Sequence, residues 1–281
     1  MPELPEVETV RRGLLKIAKG RKITAIDIHY EKTITNENIA WFKETLIGAT
    51  IVNVDRRGKY LLFRFDNQMT MVSHLRMEGK YYNLPEDGEI HKHTHVVFHL
   101  DDDTKLCYSD SRKFGRMTLV KNDEALQVAG LKTIGPEPTA ETLTVEYLQK
   151  IMHASRREIK PFLLDQSNVA GLGNIYVDEV LWMSKIHPKE HANLVSDEQI
   201  EQLRDNIIQE LAVATEHHGT TVHSYTNAFG NAGEFQNHLH AYGNAGKPCE
   251  RCGTPFKKIK VAQRGTTYCP HCQILTENEN D

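Results

Sequence analysis

Four of the five cysteines fall into two pairs, CERC at Cys249 and Cys252 and CPHC at Cys269 and Cys272, with sixteen residues between the pairs. Thiolates two residues apart can turn toward one tetrahedral ion, so two such pairs supply a complete ligand set. Disulfides are the competing reading, disfavoured in a chain without a leader sequence. The spacing therefore predicts one Zn2+ held by Cys249, Cys252, Cys269 and Cys272. A four-cysteine site leaves no position for water, so this metal is structural and takes no part in the chemistry. Cys107, in KLCYSD, reads as a packed strand residue.

The opposite end of the chain carries a second concentration of chemistry. MPELPEVETV places two prolines and two glutamates in its first six residues. Pro5 suits the first helical position, Glu6 and Glu8 suit the positive end of a helix dipole, and Val7, Val10 and Leu14 follow at helical spacing. Helix formation gives no role to Pro2 or Glu3.

A third set of residues suits an anionic polymer. Net charge is −4, which by itself argues mildly against nucleic acid. Its distribution points the other way: Lys247, Arg251, Lys257, Lys258, Lys260 and Arg264 face one acid, Glu250, while the last eight residues, ILTENEND, hold three acids and no base. In QSNVAGLGNIYVDEVLW a glycine-containing turn precedes Asn174 at the start of an apolar-periodic helix, whose first amides could hold a phosphate. On this segment alone an ordinary interhelical turn is the simpler account. A dinucleotide fingerprint is excluded, because Tyr176 stands where a third glycine is needed. Arg156, Arg157 and Lys160 of SRREIK form a basic run upstream, and DRRGK and DSRKFGRM are basic loops. Phe114 and Met77 could wedge into a base stack or could simply fill a turn.

The elements that must position these groups divide the chain. KITAIDIHY, ATIVNVD, KYLLFRFD, MTMVSHL, THVVFHLD, KLCYSD and RMTLV alternate at period two and predict an antiparallel sandwich up to about residue 120. IGPEP (134–138) reads as a linker. Helices follow, the clearest being SDEQIEQLRDNIIQELAVATEHH, with Ser196 and Gln199 as a capping box and Ile200, Leu203, Ile207 and Leu211 on one face. A polar, glycine-rich stretch over 219–246 leads to the cysteines. With 39% hydrophobic and 26% charged residues the composition is that of an ordinary globular protein with room for two cores. No stretch has the roughly 18 apolar residues of a membrane span, and a cytoplasmic protein is expected.

PELPEVET, RRGKYL, SHLRMEGK, KHTHV, DSRKFGRM, QSNVAGLGNIYVDEV and the closing CxxC pairs occur in the order seen in formamidopyrimidine-DNA glycosylases, over nearly the whole chain. The sequence resembles this bacterial family, which excises oxidised purines, chiefly 8-oxoguanine opposite cytosine, and then cuts the abasic strand. The resemblance implies an α+β fold in three parts. These are an N-terminal catalytic helix and antiparallel β-sandwich with flanking helices (1–133), a helical helix-two-turn-helix domain with a lesion-binding loop (134–246), and a zinc finger with an acidic tail (247–281).

The resemblance also gives Pro2 and Glu3 a role. Removal of Met1 would expose a secondary amine of lower pKa than lysine, a nucleophile at neutral pH. By resemblance, Pro2 attacks C1′, Glu3 is the general acid, Glu6 a second acid near the same site, Lys59 a proton donor in β-elimination, and Arg264 acts in δ-elimination and phosphate binding. His93, Arg112 and Arg156 match DNA-binding positions, Lys160 and Asn174 match phosphate contacts, and Met77, Arg112 and Phe114 match the trio that fills the gap left by an extruded lesion. The loop at 220–225 lies where the family closes over the extruded base. Departures are Lys113, where a second arginine is common, and Gln263, where glycine often precedes the hairpin arginine. The implied partner is damaged double-stranded DNA at the bacterial nucleoid, met by a monomer, since a damaged site demands no two-fold symmetry. Two alternatives are an endonuclease VIII-like glycosylase for oxidised pyrimidines and a non-catalytic zinc-ribbon DNA-binding protein.

Overall fold

The computed structural model describes residues 1–220 and 234–276. The chain divides into two compact units, residues 1–133 with 217–236 and residues 134–216 with 237–281.

The first unit begins with helix α1 (Leu4–Ala18). Glu3 is its N-cap residue, so Pro5 falls one position later than the sequence suggests; it still sits where the backbone N–H has no helical partner to lose. Val7, Val10, Leu14 and Ala18 recur at helical spacing and are at most 2% exposed. They join one core with residues of both sheets of a sandwich. One sheet contains β1 (Ile23–Ile28), β5 (Lys80–Pro85), β6 (Thr94–Leu100) and β7 (Thr104–Ser109), in the order β1-β6-β7-β5. The other contains β2 (Ile51–Arg57), β3 (Tyr60–Phe65), β4 (Met69–His74) and β8 (Arg116–Lys121), in the order β2-β3-β4-β8. All pairings within them are antiparallel. Helix α2 (Ile39–Leu46), capped by Asn38, adds Phe42 and Leu46 to the core. The period-two pattern misses β5, an edge strand that ends in Asn-Leu-Pro and whose residues are mostly half-buried.

Turns do the positioning in this unit. Strands β2 and β3 are joined by the two residues Gly58 and Lys59, with Arg57 opposite Tyr60. Gly58 has φ 53°, in the left-handed region that a tight hairpin needs and glycine adopts freely.

The second unit holds helices α3 (Val145–His153), α4 (Ile159–Leu164), α5 (Asn174–Met183) and α6 (Asp197–Glu216), followed by a hairpin of β9 (Lys257–Val261) and β10 (Arg264–Tyr268). The predicted face of α6, Ile200, Leu203, Ile207 and Leu211, is buried, and Ser196 and Gln199 form the capping box. Gln166 staples the turn before α5: its amide donates to the carbonyls of Leu164 and Leu172, and its oxygen accepts from the Gly171 N–H. No helix among the described residues is long and apolar enough to cross a membrane.

Residues 217–220 and 234–236 group with the sandwich although helix α6 leads into the first of them. Thr220 donates to Glu6 through both its amide (2.8 Å) and its hydroxyl (3.2 Å), and the amide of Phe235 in turn donates to the Gly219 carbonyl. The expected lesion loop lies, beyond Thr220, outside the described residues, as does most of the acidic tail.

Candidate catalytic and nucleic-acid-binding sites

The start of α1 gathers four of the residues proposed for chemistry. Pro2, Glu3, Glu6 and Lys59 are all buried, Glu3, Glu6 and Lys59 at 3% exposure each. Glu6 holds the arrangement: Oε2 accepts from the amide of Glu3 at 2.8 Å and Oε1 from Thr220, so one carboxylate ties the helix start to the end of the 217–220 segment. The amine of Met1, which precedes Pro2, has its pKa lowered from 8.0, first by burial, against the opposing pull of Glu3, Glu6 and Glu78 and with help from Lys59. Lys59 also pushes on His74, which burial drives down to about 3, with Arg76 and Lys59 adding to the effect; His74 is therefore neutral at physiological pH. The His74 ring packs edge-on to Tyr60, and both line a cavity of about 690 Å3 together with Arg76 and Arg116.

Met77 and Phe114 sit on two turns that share one support. A Cβ on Gly79 would come within 2.4 Å of the Tyr108 hydroxyl, and one on Gly115 within 1.6 Å, so both turns rest directly on that buried phenol. Asp110, 1% exposed, shapes the second turn by accepting from the amides of Arg112 (3.0 Å), Phe114 (2.9 Å) and Gly115 (2.7 Å). The result is an outward-pointing pair: Phe114 is 48% exposed, and the Arg112 guanidinium lies 5.1 Å from its ring centroid. The backbone beneath the ring is braced by Asp110 and by the Tyr108 phenol. Lys113 has φ 61°, and its ammonium lies over the Tyr30 ring. His93, exposed at φ 72°, accepts at its carbonyl from the amide of Asp110.

In the helical unit the basic run of SRREIK separates. Arg156 and Arg157 are exposed, and Arg157 pairs with Asp165 at 2.9 Å. Lys160 points inward at 0% exposure, donating to Asp178 at 2.6 Å and to the Gly265 carbonyl at 3.2 Å. Burial raises the Asp178 carboxyl to about 6 despite Lys160, and its second oxygen accepts from the amide of Thr267. Asn174 opens α5 and donates from Nδ2 to the same Gly265 carbonyl at 3.0 Å; its Oδ1 is buried and unpartnered. Two basic-run residues are thus surface groups and one is a structural cation tying α4 to α5 and β10. Arg264 is exposed beside the hairpin turn, whose residues Ala262 and Gln263 have φ 44° and 62°. The turn keeps the left-handed geometry that glycine would adopt without strain.

Below that hairpin, the sulfurs of Cys249, Cys252, Cys269 and Cys272 all lie within 4.8 Å of one another, the only cluster of its kind among the described residues. A tetrahedron with Zn–S bonds of about 2.3 Å needs sulfurs roughly 3.8 Å apart, so the quartet fits one zinc ion with no vacancy for water. Cys249 and Cys269 are buried. Cys107, the fifth, is buried on β7 as expected.

The signals the sequence reading passed over were Glu78, His74 and Arg76, all inside or beside SHLRMEGK, and the supports Tyr108 and Asp110 beside SRKFG. Their types suit charge and positioning, but only the fold reveals that two separate turns stand on one tyrosine.

Three family models match in order: the formamidopyrimidine-DNA glycosylase N-terminal domain over residues 1–117, the H2TH domain of the same enzymes over 134–226, and a zinc finger found in FPG and IleRS over 246–274. The formamidopyrimidine-DNA glycosylase of Lactiplantibacillus plantarum is 60% identical over 275 residues, 98% of this chain and 100% of that one. The chain belongs to the formamidopyrimidine-DNA glycosylase family. The enzyme of that name from Ligilactobacillus salivarius is 58% identical over 98% of this chain and 99% of its own. Among solved structures, Lactococcus lactis Fpg in complex with DNA containing an abasic site superposes with a TM-score of 0.92 at 44% identity, over 97% of this chain and 99% of the other. A point mutant of the same enzyme, in complex with Fapy-dG-containing DNA, gives 0.93 at 44% identity, over 97% and 100%. The fold is that of the family: an N-terminal β-sandwich with helices, an H2TH region and a C-terminal zinc finger, consistent with one structural Zn2+.

Proposed function

We propose that this protein is a bifunctional base-excision repair enzyme that removes 8-oxoguanine and formamidopyrimidines from duplex DNA and cleaves the resulting abasic strand. The observation that carries the reading is the buried start of α1, where Pro2, Glu3, Glu6 and Lys59 are buried around the chain's first residues and Glu6 accepts from the Glu3 amide. After loss of Met1 the nitrogen of Pro2 is a secondary amine. It forms a bond to C1′ as the glycosidic bond breaks, and the base departs with the bonding pair and takes up a proton while the new ammonium gives one up. Glu3 delivers a proton to the ring oxygen as C1′–O4′ opens, leaving an iminium that draws electrons from the sugar. Loss of a C2′ proton then expels the 3′ phosphate, with Lys59 as proton donor, and a second elimination assisted by Arg264 expels the 5′ phosphate. Glu6 fixes Glu3 and the helix start.

The grip on DNA is electrostatic and supplied by both units. Arg112 and Phe114, with Met77 from the neighbouring turn, fill the gap left by the extruded nucleotide. His93 and Arg156 contact the strand, and the start of α5, with Asn174, takes a phosphate. Lys160 serves that contact by holding α4, α5 and β10 together. Residues 134–246 act as the helical and lesion-binding part and 247–281 as the zinc-finger part. The enzyme works as a monomer in the bacterial cytoplasm, at the nucleoid.

The test is a panel of duplexes carrying 8-oxoguanine opposite cytosine, an oxidised pyrimidine, or no damage. The proposal predicts base release and a strand gap with phosphate at both ends on the first duplex. Preference for the pyrimidine would move the assignment to an endonuclease VIII-like enzyme. Binding without base release would make the protein a non-catalytic DNA binder.

A further inference from the structure

Trp182 ends α5 inside the metal module. Its indole is 6% exposed, stacked on the His240 ring (centroids 4.8 Å apart, planes 17°) and covered on another side by the Arg251 guanidinium, 3.9 Å from the ring centroid. Within this cage the indole Nε1–H donates to Sγ of Cys249 at 3.4 Å. Arg251 lies in the knuckle between Cys249 and Cys252 and donates to the carbonyls of Trp182 and Met183 at the end of α5. The knuckle and the last turn of α5 therefore hold each other from both sides.

Indole nitrogen is a donor only, and a buried donor without a partner carries the full cost of its lost hydration. Sulfur is a weak acceptor when it is a thiol and a good one when it carries charge, as a metal-bound thiolate does. A donor aimed at a ligand atom from behind fixes the direction of that ligand and limits its attack by electrophiles. We propose that Trp182 is an outer-sphere positioning residue of the zinc site, its N–H holding the Cys249 sulfur in the ligating orientation. The same helix reaches the module again at Asp178, which accepts from Thr267, and at Asn174, which donates to Gly265. Metal loading is thereby coupled to the placement of the whole helix.

The experiment compares zinc-loaded wild-type protein with Trp182→Phe, which keeps an aromatic ring for the His240 and Arg251 contacts but has no N–H. In competition with a chromogenic chelator the variant loses zinc affinity by about 10–100-fold, the range for outer-sphere partners. Alkylation by N-ethylmaleimide expels its zinc faster by a similar factor. Unchanged affinity and unchanged alkylation in a folded variant overturn the proposal, because a ring that only packs is replaced adequately by phenylalanine. A second measurement does not depend on that variant folding. The chain has two tryptophans, and Trp41 lies 39% exposed on α2, so Trp41→Phe leaves Trp182 as the only indole. Its emission shifts or changes intensity when zinc is withdrawn. Emission indifferent to the metal overturns the assignment.

Discussion

The two units treat their buried carboxylates in opposite ways. In the sandwich unit Glu6 and Asp110 collect backbone and hydroxyl donors from turns: Glu6 from Glu3 and Thr220, Asp110 from Arg112, Phe114 and Gly115. Each thereby fixes a segment that presents reactive or exposed groups. In the helical unit Asp178 and Glu179 join elements to each other: Asp178 binds Lys160 and the Thr267 amide, and Glu179 binds the amides of His240, Ala241 and Tyr242. Charge in the first unit presents chemistry, while charge in the second fastens helices to the metal module. Substitutions of equivalent type should consequently fail differently in the two units.

The largest contrast should come from Glu3→Gln. Loss of a general acid is expected to slow base release from an 8-oxoguanine duplex by about 10²–10⁴-fold in single-turnover assays, with duplex affinity within a few-fold of wild type. Lys160→Met should do the reverse. It leaves Asp178 buried without its cation, at a cost of about 3–5 kcal/mol, seen as an earlier unfolding transition of the helical unit in urea. If Lys160→Met lowered activity without lowering stability, the presentation and fastening roles would not be separate.

The pH dependence sharpens the same difference. Burial, and then the neighbouring Glu179, raises Glu210 to about 8, and its Oε1 has no partner. The folded state thus holds a proton that the unfolded state, titrating near 4.3, has released. Stability from this group is full below about pH 4.3 and is lost as pH rises through about 8, with a slope of up to about 1.4 kcal/mol per unit. Glu210→Gln, which keeps the shape and cannot ionise, should flatten that decline and raise stability at pH 8 in denaturant titrations.

The sequence was legible where a motif is local. The cysteine quartet, the capping box of α6 and the apolar stripe of α1 each lie within a few turns of chain, and their geometry follows from spacing. Lys160 was not legible as a buried group, because its partners are 18 and 105 residues away. A basic run reads as a surface until the fold supplies the acid. The support under Met77 and Phe114 was hidden for a similar reason: Tyr108 looks like any strand aromatic until two glycine turns, at Gly79 and Gly115, close over its hydroxyl. Strand β5 was lost to its asparagine and proline, and the bond from Thr220 to Glu6 to the separation of 214 residues between them.

Two smaller effects complete the comparison. Phe114→Ala removes an exposed ring, so thermal stability should shift by less than about 0.5 kcal/mol. Binding of the lesion duplex should weaken by about 1–3 kcal/mol, the scale of one base–aromatic stack, measurable by fluorescence anisotropy. Gln263→Gly relieves a left-handed residue in the β9–β10 turn and should stabilise the helical unit by up to about 1 kcal/mol, read from its urea midpoint.

The central claim is that the chemistry belongs to the N-terminal amine of the sandwich unit. Borohydride reduction during reaction with a duplex carrying 8-oxoguanine opposite cytosine, followed by mass mapping of the cross-linked peptide, tests it most directly. The account predicts a covalent adduct on Pro2 in chains that have lost Met1. Base release with the adduct on a lysine side chain, or with no adduct at all, would contradict it.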